Sequence, residues 1–205
     1  MEHTLAASEE HLLASLDFSL SPSSSYVIQR TSSSFYPSGA SEISPTGVQV
    51  ARIQLTSESF LDPETIRIQF TVRNLHSSEP LKFVTGPWGF FDRIRLLCGG
   101  TLLEDVFYAN RMNEMLTALL QPGNASNNEL IQGFMNSASK SDTISVASRE
   151  DGHNGQYTVN FKPYYFGLLH SQKMWPAFAA GGGLTMELYL ATPGDITSHS
   201  QWSLS

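Results

Sequence analysis

The stretch "FFDRIRLLCGGTLLED", residues 90–105, constrains the fold more than any other part of this chain. Ile94, Leu96 and Cys98 share one face of an extended segment, with Phe91, Arg93, Arg95 and Leu97 on the other, and apolar residues resume at Leu102 and Leu103. Two strand-length runs separated by Gly99-Gly100 read as a β-hairpin. The favoured two-residue turns need positive φ angles, which glycine adopts without steric cost.

The same alternation recurs along the chain. "SYVIQR" (25–30), "VQVARIQLT" (48–56), "TIRIQFTV" (65–72), "QYTVNF" (156–161) and "GLTMELYLAT" (183–192) all read as half-buried strands. In the third, Ile66, Ile68, Phe70 and Val72 point one way and Arg67, Gln69 and Thr71 the other; in the last, Leu184, Met186, Leu188 and Leu190 share a face. Ser, Pro and Gly clusters lie between them, the longest being "TSSSFYPSGASEISPTG" (31–47), which reads as a loop. After the hairpin the period changes. Tyr108, Met112, Met115, Leu116, Leu119 and Leu120 follow helical spacing up to Pro122-Gly123, and Ser126 with Glu129 has the spacing of a capping box ahead of Leu130, Ile131, Phe134 and Met135. Many short strands, long loops and no regular βαβ alternation predict an all-β fold, an antiparallel jelly-roll sandwich with short helical insertions.

Residues 1–23 are set apart by Glu2, Glu9, Glu10 and Asp17 with no Lys or Arg, and by Leu5, Leu12, Leu13 and Leu16 on one helical stripe. They read as an N-terminal arm, with residues 24–205 as the domain. At the other end "QWSLS" places Trp202 and Leu204 at the start of a further alternating strand, so the expectation is a domain cut from a longer protein. A chain of 205 residues is enough for one substantial core. Only 15% of its residues are charged and its formal charge is −7, which argues against direct binding of nucleic-acid backbones, since that needs clustered Lys and Arg. Arg67, Arg73, Lys82, Arg93 and Arg95 do make a locally basic interval, read as one solvated or intersubunit face. There is no secretory signal, no apolar run long enough to span a bilayer, and one cysteine, so no internal disulfide.

No chemistry emerges from the motifs. Cys98 shares a face with Ile94 and Leu96, so a buried, inert thiol outweighs a nucleophile, although the fold brings His76, His153 or His170 into question as a base. Gly99-Gly100 and Gly181-Gly182-Gly183 fit no phosphate-loop spacing. His3, His11, His76, His153, His170 and His199 show no metal-ligand spacing. Glu104 and Asp105 are adjacent, so on a strand they face opposite ways and cannot act as a glycosidase pair; helix capping is the better reading of Asp105. Asn124-Ala125-Ser126 matches a glycosylation acceptor but lacks a secretory signal to expose it to that machinery. Trp88, Phe90 and Phe91, and Tyr164, Tyr165, Phe166, Trp175 and Phe178, read as core first and as interface anchors second. Catalytic residues, cofactor ligands and metal ligands are therefore all assigned as none, and the chain reads as a non-enzyme.

The segment "GPWGFFDRIRLLCGGTLLEDVFYANRMNEML" (86–116) resembles the N-terminal jelly roll of double jelly-roll major capsid proteins, in particular those of polinton-like viruses and virophages. The resemblance lies in a strand, a tight Gly turn, a returning strand ending in Glu104-Asp105, and a helix bearing Tyr108, Asn110, Arg111 and Glu114. "GGGLTMELYLAT" and "WSLS" are similar to the late strands of the same domain. The resemblance implies a structural component of an icosahedral viral capsid. It would self-associate into trimeric capsomers that meet neighbouring capsomers and the penton and minor capsid proteins, in a virion assembled inside the host cell. It also implies a second jelly roll after residue 205. The alternatives are a single jelly-roll penton or minor capsid protein, and a carbohydrate-binding jelly-roll module.

Overall fold

The computed structural model describes residues 29–83, 85–119, 145–146, 155–163, 167–168, 171, 173–179, 181 and 183–205. Phe35–Ser205 form one compact unit. The strands are β1 (Pro37–Ser38), β2 (Val50–Leu55), β3 (Phe60–Leu61), β4 (Ile68–Asn74), β5 (Leu81–Lys82), β6 (Phe91–Cys98) and β7 (Thr101–Val106). After helix α1 (Ala109–Ala118) come β8 (Ser145–Val146), β9 (Gln156–Phe161), β10 (Trp175–Pro176), β11 (Leu184–Leu190) and β12 (Trp202–Leu204). The arm at residues 1–23, nearly all of "SYVIQR" and the second helix expected from Ser126 lie outside the described residues.

Five strands make one sheet in the order β1-β2-β11-β6-β7, and three make a second in the order β12-β4-β9. All their pairings are antiparallel. The chain passes from β2 in the first sheet to β4 in the second, and later from β9 in the second back to β11 in the first. Yet β2 pairs with β11 and β4 with β9. The two ladders are successive lengths of one antiparallel ribbon bent from sheet to sheet, which is the winding of a jelly roll. The fold is thus the all-β antiparallel sandwich that the alternation predicts, with α1 inserted after β7.

The inner faces meet through aromatic rings. Phe70 of β4 lies edge-on to Phe91 of β6 with centroids 5.4 Å apart, and Trp202 of β12 lies edge-on to Phe90 at 5.1 Å. Phe90, Phe161 and Trp202 are fully buried. Each such side chain contributes about 1.5–3 kcal/mol by leaving water, and edge-to-face geometry adds roughly 0.5–1.5 kcal/mol per pair.

The hairpin forms around Gly99 and Gly100, with φ of +55° and +85° and Cys98 paired with Thr101. Positive φ at both central residues is what a primed two-residue turn demands. Two details depart from simple alternation. The β6–β11 register slips by one residue, Tyr189 facing Arg93 and Leu190 facing Phe91, so Asp92 is bulged. The bulge turns Phe91 into the core, not to the outer face shared with Arg93. Cys98, at the open end of the sheet beside the turn, is half-buried, less covered than Ile94 and Leu96. The segment 31–47 also contributes more than a loop: β1 lies within it, and Ile43 exchanges backbone hydrogen bonds with Leu204 at 2.9 and 2.8 Å.

Candidate interaction surface

The outer face of the five-stranded sheet carries a row of alternating charge. Register places Arg52 of β2 opposite Glu187 of β11, Glu187 opposite Arg95 of β6, and Arg95 opposite Asp105 of β7. Arg52 Nε lies 2.9 Å from Glu187 Oε1, and Arg95 Nη1 lies 3.3 Å from Glu187 Oε2. Arg93, one pleat along, donates from Nε and Nη2 to the two oxygens of Asp105, a bidentate pair with Nε at 2.7 Å. Its guanidinium also lies over the Phe107 ring, 4.1 Å from the centroid, with Tyr189 at 5.4 Å.

The electrostatics follow from this geometry. Hydrogen bonds from Arg93 hold the Asp105 carboxyl below its ordinary value, against a smaller opposing effect of desolvation. Asp105 raises Arg93 in return, and the hydrogen bond to Tyr189 is the largest effect raising Arg95. The Glu187 side chain is only 7% exposed although it points away from the core, because two arginines close over it.

These contacts correct two expectations. Asp105 lies inside β7 and pairs with arginines; it caps no helix, since α1 begins at Ala109. The basic interval is also not one face. Arg73 is on the three-stranded sheet, paired with Glu42 at 2.9 Å, while Arg93 and Arg95 are on the other sheet and neutralised there.

Beside the charge row runs an apolar strip. β7 is an edge strand, and a register irregularity between Leu96 and Leu97 of its partner leaves both Leu102 and Leu103 exposed. Phe107 and Tyr108 follow at 58% and 60% exposure, Tyr108 with a left-handed φ of +54°. Its carbonyl accepts the first α1 hydrogen bond, from Met112 N at 3.0 Å. Helix α1 then inverts the usual arrangement. Ala109, Asn110 and Asn113 are buried, while Met115, Leu116 and, just past its end, Leu119 are exposed. Trp88 Nε1 donates to Glu114 Oε2 at 2.7 Å and ties the helix to the turn at Pro87–Phe90. The apolar spacing that predicts α1 is therefore real, but most of its stripe faces solvent: Tyr108, Met115, Leu116 and Leu119 are exposed, Met112 is half-buried, and Leu120 lies outside the described residues.

The remaining candidates divide cleanly. Trp88, Phe90 and Phe91 are core residues, Trp175 is half-buried, and Phe178 is exposed against Phe60 at 5.3 Å. Glu104 faces away from Asp105, as expected of strand neighbours, and accepts from Leu168 N at 2.9 Å. His76 and His199 come together, with ring centroids 5.1 Å apart. His3, His11, His153, His170, Tyr164, Tyr165, Phe166, Gly182 and the Asn124–Ser126 acceptor lie outside the described residues. Among the described residues no group of three or more His, Cys, Asp or Glu is placed to hold a metal ion, and no helix is long and apolar enough to cross a membrane. No protein-family model matches the chain, and no curated protein is significantly similar to it.

Proposed function

We propose that this chain is a structural shell component: the first jelly roll of a double jelly-roll major capsid protein, which associates with copies of itself into trimeric capsomers. The observation that carries self-association is the inverted helix. A stripe of Met115, Leu116 and Leu119 in water, continuous in sequence with exposed Phe107, Leu103 and Leu102, is surface that a lone soluble domain rarely keeps. The neighbouring charges already have partners within the sheet, so an apolar contact there strands none of them. The sandwich fold and the resemblance of residues 86–116 support the capsid class.

The test is the association state of this chain, and of the full reading frame that encodes it, by light scattering and electron microscopy. Concentration-dependent trimers are expected, and capsomer-sized rings from a frame with a second jelly roll. The double variant Met115→Ser/Leu116→Ser should shift the population to monomers without unfolding them, since both side chains are already in water. A wild-type protein that stays monomeric at every concentration would remove the proposal. Reproducible glycan-array binding would favour the carbohydrate-binding alternative instead.

A further inference from the structure

Two histidines far apart in sequence, His76 and His199, meet where β12 begins and β4 ends. Their rings are 5.1 Å apart at the centroids and tilted by 41°. His76 lies in the turn between β4 and β5, and its Nδ1 accepts from the backbone N–H groups of Ser78 at 3.2 Å and Glu79 at 2.9 Å. Asn74 braces the same turn, its Oδ1 accepting from His76 N at 2.9 Å and its Nδ2 donating to Glu79 O at 2.9 Å. His199 lies in the turn leading into β12, and its Nδ1 accepts from Gln201 N at 3.3 Å. Gln201 in turn accepts from Leu75 N through its carbonyl at 3.0 Å, and Trp202 pairs with Asn74.

A ring nitrogen that accepts a hydrogen bond carries no proton, so the contact from Gln201 N calls for the neutral form of His199, with its proton on Nε2. An imidazolium donates from both nitrogens and accepts from neither. Protonation of His199 would leave the Gln201 N–H without its acceptor and set a cation against the His76 ring, whose own Nδ1 holds the turn of β4 and β5 through Ser78 and Glu79. We propose that His76 and His199 are an acid-released clamp that holds β12 against the end of β4.

The surroundings fit such a device. Burial lowers the affinity of His199 for a proton, the neighbouring His76 ring lowers it further, and the Glu79 carboxylate and backbone oppose both. His199 Nε2 is buried and meets no acceptor at hydrogen-bonding geometry. From β4 and β12 the adjoining residues Asn74, Gln201 and Trp202 are uncharged. Lys82 of β5 accepts from Ser198 N through its carbonyl and donates from its own N–H to Ser198 Oγ, and Asp195 of the one-turn helix Pro193–Ile196 is engaged by Arg111 at 3.4 Å. Glu79 is thus the carboxylate that faces the pair.

The sign is fixed by linkage. A ring that resists protonation in the fold stabilises it fully above the ordinary imidazole value of 6.5, and that contribution is lost as pH falls toward the lowered value. Over that window the opening constant of the β12 end rises about tenfold per pH unit for each proton taken up on opening.

The experiment is amide hydrogen exchange on the intact chain from pH 8 to pH 5, corrected for intrinsic rates, with nitrogen-15 spectra of the imidazoles at pH 8. Expected are unprotonated Nδ1 in both rings, and protection at Trp202–Leu204 that falls on acidification in the wild type. In His76→Asn/His199→Asn, which keeps an acceptor at each position but cannot titrate, that protection should be flat with pH. An equal fall in the double variant, flat protection in the wild type, or a protonated Nδ1 in either ring overturns the clamp. The last two readouts need only the wild-type protein and decide the matter even if the variant does not fold.

Discussion

Replacing each hairpin glycine in turn separates two reasons for having glycine there. At Gly100, with φ of +85°, an added Cβ meets nothing within 4 Å, so Ala suffers only the left-handed backbone, about 1 kcal/mol. At Gly99, with φ of +55°, the same carbon falls 2.3 Å from the Gly181 carbonyl oxygen. Ordinary contact needs about 3.5 Å, so the hairpin and the Gly181 carbonyl must part by roughly 1 Å. That movement strains the bond from Gly99 N–H to Gly183 O, 3.1 Å long and worth about 0.5–1.5 kcal/mol. Gly99→Ala is therefore expected to lose about 1.5–2.5 kcal/mol against about 1 kcal/mol for Gly100→Ala. Asn sharpens the contrast, since it tolerates positive φ but still carries a Cβ. Gly100→Asn should fall within about 0.5 kcal/mol of wild type while Gly99→Asn resembles Gly99→Ala. Urea unfolding followed by tryptophan fluorescence, compared at a common slope, measures all four. Equal losses at the two positions, or rescue of both by Asn, would refute the argument that the Gly181 contact, and not turn geometry alone, selects glycine at position 99.

Trp202→Ala should cost about 3–5 kcal/mol because a fully buried indole leaves a cavity between the sheets, and Trp202→Phe about 1–2 kcal/mol because its bond to Thr197 Oγ1 at 3.0 Å is lost; urea midpoints read both. The Asp105 carboxyl titrates below its ordinary 3.8, so its stabilisation is complete above about pH 4 and disappears as pH falls through the lowered value. Asp105→Asn should thus lose about 1 kcal/mol at neutral pH, with a flatter fall in melting temperature between about pH 4 and 2; a wild-type slope in the variant would exclude the pair as its source.

Alternation was enough to place β2, β4, β6, β9 and β11, because each buries one face more deeply than the other, while β7 was placed by the Gly-Gly turn and β12 by Trp202 and Leu204. The Gly-Gly turn and α1 were equally legible. The two-residue strands β1, β3, β5, β8 and β10 were not, since two residues display no period and two of the five contain proline. Nor was the direction of the α1 stripe. Spacing says that Met115 and Leu116 share a face, but only the packing of Asn110 and Asn113 against the sheet says which face is inside. Phe91 was misplaced because a single bulge at Asp92 reverses the parity of everything before it. The charge row was invisible for a different reason. Arg52, Asp105 and Glu187 sit on strands separated by long stretches of chain, and only the register of β11 between β2 and β6 brings them into line. The one available signal was that each occupies an outward position of its own strand. His76 and His199 are close for the same kind of reason, through the pairing of Asn74 with Trp202.

The position of β11 has a consequence for synthesis. It is the third of five strands in its sheet, yet it is made long after the β2 and β6 strands that flank it, and β12, which completes the other sheet, follows it. Until residues 184–190 emerge, β2 and β6 have no neighbour between them, and each offers a bare apolar edge to any passing chain. At about 5–20 residues per second that interval lasts several seconds after β6 appears. A message truncated before Leu184 would therefore yield no smaller jelly roll. It would yield two open half-sheets with every incentive to find partners elsewhere.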